Sequence, residues 1–304
     1  MHPNKLIKMA TVKDKTCIIT GSAAGLGKAY AAKLLQNGTR VCLSDVNEDA
    51  GAKTLAEFQE TFGEDRVLFV RCDVTKQEEF VNLFDEAEKA FGVKCIDILV
   101  NNAGINNNLG WRKCFDVNIY GVMIGMEIAM ERMTKSPGKG TIINCASLAG
   151  FVTGTRGIGP AYYGSKHACV TVSRNVATDY HKTGVSVKCM CPGFANTAII
   201  NVEPEHQDQF NKEISEFGSL EPEEVAEAFY KLLTECSNGA TMGVLKGCPL
   251  IIIPDYGRPG ALTLLGLSMI VGKVTGLEII TPVHQILCAI FLLVILIVFT
   301  AWLL

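Results

Sequence analysis

A chain of 304 residues, 48% of them apolar and 19% charged, can bury one sizeable core and is short for two. Its net charge of -3 and the lack of any basic tract exclude a surface organised around nucleic acid. Twelve cysteines without C-x-x-C spacing give no zinc or dithiol signature, and no secretory signal points to an oxidising compartment, so reduced thiols are expected.

Met1 to Lys15 carries lysines at 5, 8, 13 and 15 with no apolar centre, and reads as a lead-in to the first strand. Cys17 to Thr20 is a short apolar run ending in Gly21-Ser-Ala-Ala-Gly25-Leu26-Gly27. The Ala- and Leu-rich stretch that follows predicts a helix to Gln36, closing at Gly38. Strand, glycine turn and helix make a phosphate cradle: glycines let the backbone approach a pyrophosphate, and the helix N-terminus supplies free N–H groups. The second strand, Arg40 to Ser44, ends at Asp45, 18 residues after Gly27. A carboxylate there accepts hydrogen bonds from ribose hydroxyls and repels a 2′-phosphate, which favours NAD over NADP. A helix cap is the competing role for Asp45, and Asn47 could fill it instead.

Alternation continues: helix from about Glu48 to Thr61, strand Arg66 to Arg71 ending at Asp73-Val74, helix within Lys76 to Phe91, and buried strand Ile96 to Val100 ending in Asn101-Asn102-Ala103-Gly104. The pattern predicts an α/β Rossmann-type fold, a doubly wound parallel sheet in a single domain. A helix from about Trp111 to Met133 contains Asn118. Helix Glu221 to Glu235 and strand Leu250 to Ile253 complete the expected sheet. Cys17, Cys42, Cys72, Cys145 and Cys189 fall in strand-like runs as small hydrophobes, and Cys189-Met190-Cys191 reads as filling.

Tyr162 and Lys166, four apart on a helix, share one face, with Ser147 fifteen residues upstream. A tyrosine ionises near pH ~10, and lowering that by about three units takes roughly 4 kcal/mol of differential stabilisation, which an adjacent ammonium favours. With a serine hydroxyl holding a substrate oxygen, the trio can move a proton on or off an alcohol as hydride leaves the neighbouring carbon.

The ordered set Thr20-Gly21-x-x-x-Gly25-x-Gly27, Asp73-Val74, Asn101-Asn102-Ala103-Gly104, Asn118, Ser147, Tyr162-x-x-x-Lys166 and Pro192-Gly193 resembles the short-chain dehydrogenase/reductase family over residues 12 to 256. Within it, Asn101 to Asn107 with Trp111, Ser147 to Gly150, and Cys191 to Ala198 are similar to NAD-dependent 15-hydroxyprostaglandin dehydrogenases. The resemblance implies a Ser-Tyr-Lys-Asn mechanism: Ser147 orients the hydroxyl, Tyr162 takes its proton, Lys166 supports the tyrosine and grips the nicotinamide ribose, and Asn118 holds a relay water. It implies NAD on Gly21, Gly25, Leu26, Gly27 and Asp45. Asp73 and Val74 would meet the adenine, Asn101, Ala103 and Gly104, in a turn that would also stabilise the central sheet, would line the cofactor, and Pro192 and Thr197 would flank the nicotinamide. Asn144 would brace backbone. A homodimer through the helices carrying Asn118 and Tyr162 is also implied.

Two departures bear on the substrate, expected to be a lipid-like secondary alcohol or ketone. A glutamine that assists the substrate in prostaglandin dehydrogenases has Gly159 as its nearest counterpart, and the stretch from Ile199 to Gly218 is acidic. Phe194 and Phe217 are candidate pocket walls. The alternatives are a membrane-bound retinol, steroid or carbonyl reductase, and a non-catalytic NAD-binding scaffold.

Beyond Tyr256 the character changes, which accounts for a mean hydropathy of +0.25. Gly257 to Gly260 reads as a linker. Residues 257–285 hold a membrane-proximal apolar segment interrupted by Lys273 and Glu278, and Ile286 to Leu304 has 19 residues without a charge. At 1.5 Å per residue such a helix spans about 28 Å, close to a bilayer core. The expectation is a tail anchor holding a cytosolic catalytic domain, residues 1–256, on an endomembrane, with the endoplasmic reticulum foremost.

Overall fold

Side chains that alternate along each strand build this molecule from the middle outward. The computed structural model describes residues 11–253, apart from 138, 153–157, 198, 200–206 and 249. Strands β1 (Thr16–Thr20), β2 (Arg40–Asp45), β3 (Val67–Arg71), β4 (Ile98–Asn101), β5 (Thr141–Cys145), β6 (Ser186–Pro192), β7 (Thr241–Val244) and β8 (Ile251–Ile252) form one sheet in the order β3-β2-β1-β4-β5-β6-β7-β8. On one face Cys17, Ile19, Val41, Leu43 and Val100 pack with helices α1 (Gly25–Gln36), α2 (Glu48–Phe62) and α8 (Pro222–Glu235) through Leu34, Phe58 and Phe229. On the other, Ile18, Cys42, Leu99 and Ile142 meet α3 (Gln77–Phe91), α5 (Gly121–Thr134) and α6 (Pro160–Asp179) through Phe84, Met126 and Val170. Burying each large apolar side chain contributes about 1.5–3 kcal/mol, so both faces carry stability.

Strands β1 to β7 run parallel, as the alternating pattern predicts, and the order reverses between β1 and β4. That reversal opens a crevice at the strands' carboxyl ends, the position where such sheets take ligands. The last strand differs from expectation. The parallel partner of β6 is Thr241–Val244, and the apolar run at Leu250 contributes only Ile251–Ile252, antiparallel on β7. A connection of six residues from Val244 to Ile251 is long enough for a reversal but too short for the crossover that a parallel strand needs.

The expected helix from Trp111 to Met133 is also interrupted. It begins as α4 (Trp111–Phe115), passes through a π-helical turn at Asp116–Tyr120, and continues as α5. Asn118 lies in that turn, and its side chain bonds to backbone outside the helix. Such bulges gather at functional positions. The acidic stretch before Gly218 contains helix α7 (Gln207–Phe217).

The chain divides into two units, Met1–Ile253 and Pro254–Leu304. The second lies wholly outside the described residues, and with it the expected linker and the apolar run Ile286 to Leu304. Among the described residues no helix is long and apolar enough to cross a membrane.

Candidate active site

The turn after β1 is shaped by what its residues lack. Gly21 has φ +63°, and a Cβ there would fall 2.7 Å from the Ala103 Cα. At Gly27 a Cβ would meet the Gly21 carbonyl oxygen at 2.3 Å, so the start of α1 can sit against the turn only as glycine. Asn102 locks the pair of loops: its Nδ2 donates to the Thr20 and Gly21 carbonyls at 3.0 and 2.9 Å. Thr20 Oγ1 accepts from the Asn102 and Ala103 N–H groups, both at 3.1 Å. A cradle results, walled by Gly21, Gly25 and Leu26, with bare backbone at the N-terminus of α1.

Asp45 stands at the end of β2 with Oδ2 accepting from Ala23 N at 3.1 Å and Oδ1 from Asn47 N at 3.0 Å. Asn47 is the cap of α2, accepting from Ala50 N, so the Asp45 carboxylate is left facing the crevice. Asp73 and Val74 line the same crevice after β3. Burial opposes ionisation of Asp73, but hydrogen bonds from Thr75 and the charges of Lys113 and Lys76 outweigh it and hold the carboxyl below its usual range.

Ser147, Tyr162 and Lys166 converge from two elements. Ser147 follows β5, donating Oγ to the Pro192 carbonyl at 3.3 Å and accepting from Ala149 N at 3.1 Å. Tyr162 and Lys166 share a face of α6, with the ammonium 5.5 Å from the phenol ring centroid. Lys166 is 4% exposed, and its Nζ donates to the Cys145 carbonyl at 2.9 Å. Desolvation alone would lower its pKa; interactions with Tyr162, Cys169, Cys145 and Cys114 outweigh that and lift it above the ordinary lysine value. Asn118 Oδ1 and Lys166 Nζ both lie 3.4 Å from where a Cβ on Gly104 would stand, so a side chain there would press against both.

Gly21, Gly25, Leu26, Asp45, Asp73, Val74, Ser147, Tyr162 and Lys166 open on one cavity of about 660 Å³. It also takes in Pro192 and Thr197, as the sequence implies. Phe194 and Phe217 are walls, together with Leu109, Leu148, Val152, Ile158, Ile199 and Leu245. Three expected residues stand elsewhere. Gly27 shapes the turn from behind. Asn118 clamps the Ile105 backbone, accepting from its N–H and donating to its carbonyl, both at 2.9 Å. Asn101 does not line the crevice: as the last residue of β4 it is buried and donates Nδ2 to Asn144 Oδ1 at 2.9 Å across the β4–β5 pair, bracing the sheet. Asn144 continues the brace through its side chain, donating to Ser173 Oγ at 2.9 Å. Sequence reasoning missed Val46, Ile105, Lys113 and Val117 as lining residues; Val46 and Ile105, each one residue beyond a marked motif, were within reach of it.

The cysteines carry no second site. All eleven among the described residues are free thiols, and no cluster there could hold a metal. Cys189 and Cys191 are buried with their sulfurs 3.8 Å apart, and Cys169 is fully buried.

A glycine-walled crevice at the sheet's switch point, an acidic residue closing β2 and a Ser-Tyr-Lys set beside it define a dinucleotide-binding oxidoreductase. Comparison with known proteins gives the family. The sequence pattern of the family described as short chain dehydrogenase matches residues 15–208, and the chain belongs to that family. It is 35% identical over 247 residues to a 15-hydroxyprostaglandin dehydrogenase of Homo sapiens named as using NAD(+), covering 77% of this chain and 91% of that one. It is 37% identical over 194 residues to 3beta-hydroxysteroid dehydrogenase 2 of Eggerthella lenta, covering 61% of this chain and 72% of the relative. Among solved structures, a short-chain type dehydrogenase/reductase from Mycobacterium marinum superposes with TM-score 0.71 at 25% identity, covering 81% of this chain and 100% of that chain.

Proposed function

We propose that this protein oxidises a secondary hydroxyl of a lipid-like substrate with NAD as acceptor. The observation that carries the reading is that Ser147, Tyr162 and Lys166 open on one cavity whose other walls are Leu109, Leu148, Val152, Phe194, Phe217 and Leu245. The cradle fits a pyrophosphate, because glycine backbone and a helix N-terminus face it with no side chain in the way. Gly21, Gly25, Leu26, Asp45, Asp73, Val74, Ala103 and Gly104 would hold the cofactor, with Pro192 and Thr197 at its nicotinamide end. When bound, NAD supplies the hydride acceptor.

The chain's own groups do the rest. Ser147 Oγ exchanges its bond to Pro192 for one to the substrate oxygen and fixes the hydroxyl. Tyr162 accepts the hydroxyl proton, and the Lys166 cation stabilises the negative oxygen this requires. Asn118 and Lys166 would together hold a water that carries that proton outward. The apolar walls favour an acyl or ring skeleton over a sugar or amino acid. A ring hydroxyl of a steroid is the second reading, supported by the identity to the bacterial hydroxysteroid dehydrogenase.

Tyr162→Phe tests the reading. Loss of general base catalysis should lower turnover about 10²–10⁴-fold. NAD affinity, followed by calorimetry, should stay near that of the wild type. Undiminished NADH production by this variant would sink the assignment.

Two features of setting belong to the same proposal. Phe115 of α4, Tyr120 of the π-helical turn and Met123 of α5 are solvent-exposed apolar side chains suited to a second copy of the chain. Ile286 to Leu304 anchors the catalytic domain to an endomembrane, the endoplasmic reticulum foremost, with that domain in the cytosol.

A further inference from the structure

We infer that Ser165 is a positioning residue, tying the backbone of Tyr162 to the loop that walls the cofactor crevice. The inference rests on the mechanism proposed above. Ser165 is fully buried on α6 and does not line the cavity. Its Oγ donates to the Tyr162 carbonyl at 2.7 Å and accepts from Asn118 Nδ2 at 3.0 Å. Asn118 in turn holds the N–H and the carbonyl of Ile105, each at 2.9 Å, and Ile105 is a cavity wall one residue past Gly104. A hydroxyl offers one proton and two lone pairs, and here the proton goes to Tyr162 while a lone pair receives Asn118. One short chain of bonds thus runs from the segment bearing the proposed base to the loop beside the cofactor.

The first turn of α6 starts at Pro160 and carries buried Ala161 and Tyr163. Gly159 precedes it with no side chain to cap it, and Tyr162 N reaches the Gly159 carbonyl at 3.2 Å. Lys166, by contrast, is moored separately to Cys145 at the end of β5. Removing the Ser165 hydroxyl leaves Lys166 and the Asn118–Ile105 clamp in place, with Cys114 Sγ still 3.4 Å from Asn118 Nδ2. What is lost is the registration of Tyr162 against the loop. Small misplacements of reacting groups can cost up to about 10²-fold in rate.

The test compares Ser165→Ala with wild type, using purified full-length protein, NAD and an alcohol that the wild type oxidises. The inference expects kcat to fall by about tenfold or more, the KM for alcohol and the Kd for NAD to move by less than about threefold, and a deuterium isotope effect on kcat to grow. Ser165→Thr, which keeps the hydroxyl, should recover part of kcat. Should Ser165→Ala fail to fold, Ser165→Cys, which replaces the hydroxyl with a weak donor, is read by the same criteria. A lowered melting temperature with kcat within about twofold of wild type would make the hydroxyl purely structural and overturn the inference. If Ser165→Ala keeps full activity while Tyr162→Phe is dead, only this inference falls; an active Tyr162→Phe removes the mechanism beneath it.

Discussion

Asp45 holds two backbone N–H groups and still faces the crevice, and at the level of single side chains it is the residue proposed to set cofactor choice. Its carboxylate would sit against a 2′-phosphate with nothing basic from Asn47 to offset the repulsion. Asp45→Ser should raise the ratio of kcat/KM for NADP to that for NAD about tenfold or more, read in parallel assays with one alcohol. A ratio unmoved by the substitution would place discrimination elsewhere. Tyr162, Lys166, Ser147 and Asp45 were legible as residues of the cavity through the ordered set of motifs they belong to, since a tyrosine and lysine four apart or a lone aspartate is a weak signal by itself. Of the two roles expected of Asn101, its side chain takes the brace across the sheet and not the lining, because a motif gives neighbourhood but not direction: it is the last residue of β4, and the crevice begins one residue later. Leu245 and Ile158 carried no signal, since an apolar wall is recognised only once distant segments are brought together.

Among the elements, β6 and α8 are joined by an unusual side chain. Lys188 is 5% exposed, and its Nζ donates to the Leu232 and Leu233 carbonyls at 3.1 and 2.7 Å in the last turns of α8. The negative end of the helix favours a cation there, yet burial dominates and pushes the lysine down to about 8 from its ordinary 10.5. Between those values the unfolded chain holds more of this proton than the folded one, so this group makes stability rise with pH through that window. Lys188→Met should remove that rise. The difference in unfolding free energy between variant and wild type should change by about 2–3 kcal/mol from pH 7.5 to pH 10.5, measured by urea denaturation at each pH. Taking the difference cancels the opposite trend of the buried thiols, which lose protons on unfolding. A difference that stays constant with pH would show the lysine to be ordinary. The elements themselves were largely readable, because β1 to β4 are short apolar runs ending in turn residues and alternating with longer helical stretches. Thr241–Val244 escaped notice because its four residues, Thr-Met-Gly-Val, show neither alternation nor a long apolar run, whereas the conspicuous apolar run after it supplies just two edge residues.

At the scale of the whole molecule the proposed dimer and the proposed anchor make separate predictions. A single chain leaves Tyr120 54% and Met123 48% exposed, so wild type should sediment at twice the chain mass and Met123→Lys should shift toward the monomer. A wild-type monomer would rule these side chains out as a self-association surface. For the anchor, alkaline carbonate extraction of membranes from cells expressing the full chain should leave it in the pellet; recovery in the supernatant would count against a spanning helix. Nothing in the sheet depends on either outcome, since both helical layers close on the sheet within residues 11–253.

The Asn102 amide, joining the ends of β1 and β4 through Thr20 and Gly21, has a thermodynamic corollary. Because this bridge holds the turn through the protein's own groups, an incoming dinucleotide has little loop left to organise, and its association should be quick, with only a modest loss of chain entropy. The empty protein and the loaded one would then share the same turn, and an apo preparation would be ready for its coenzyme without a slow activation phase.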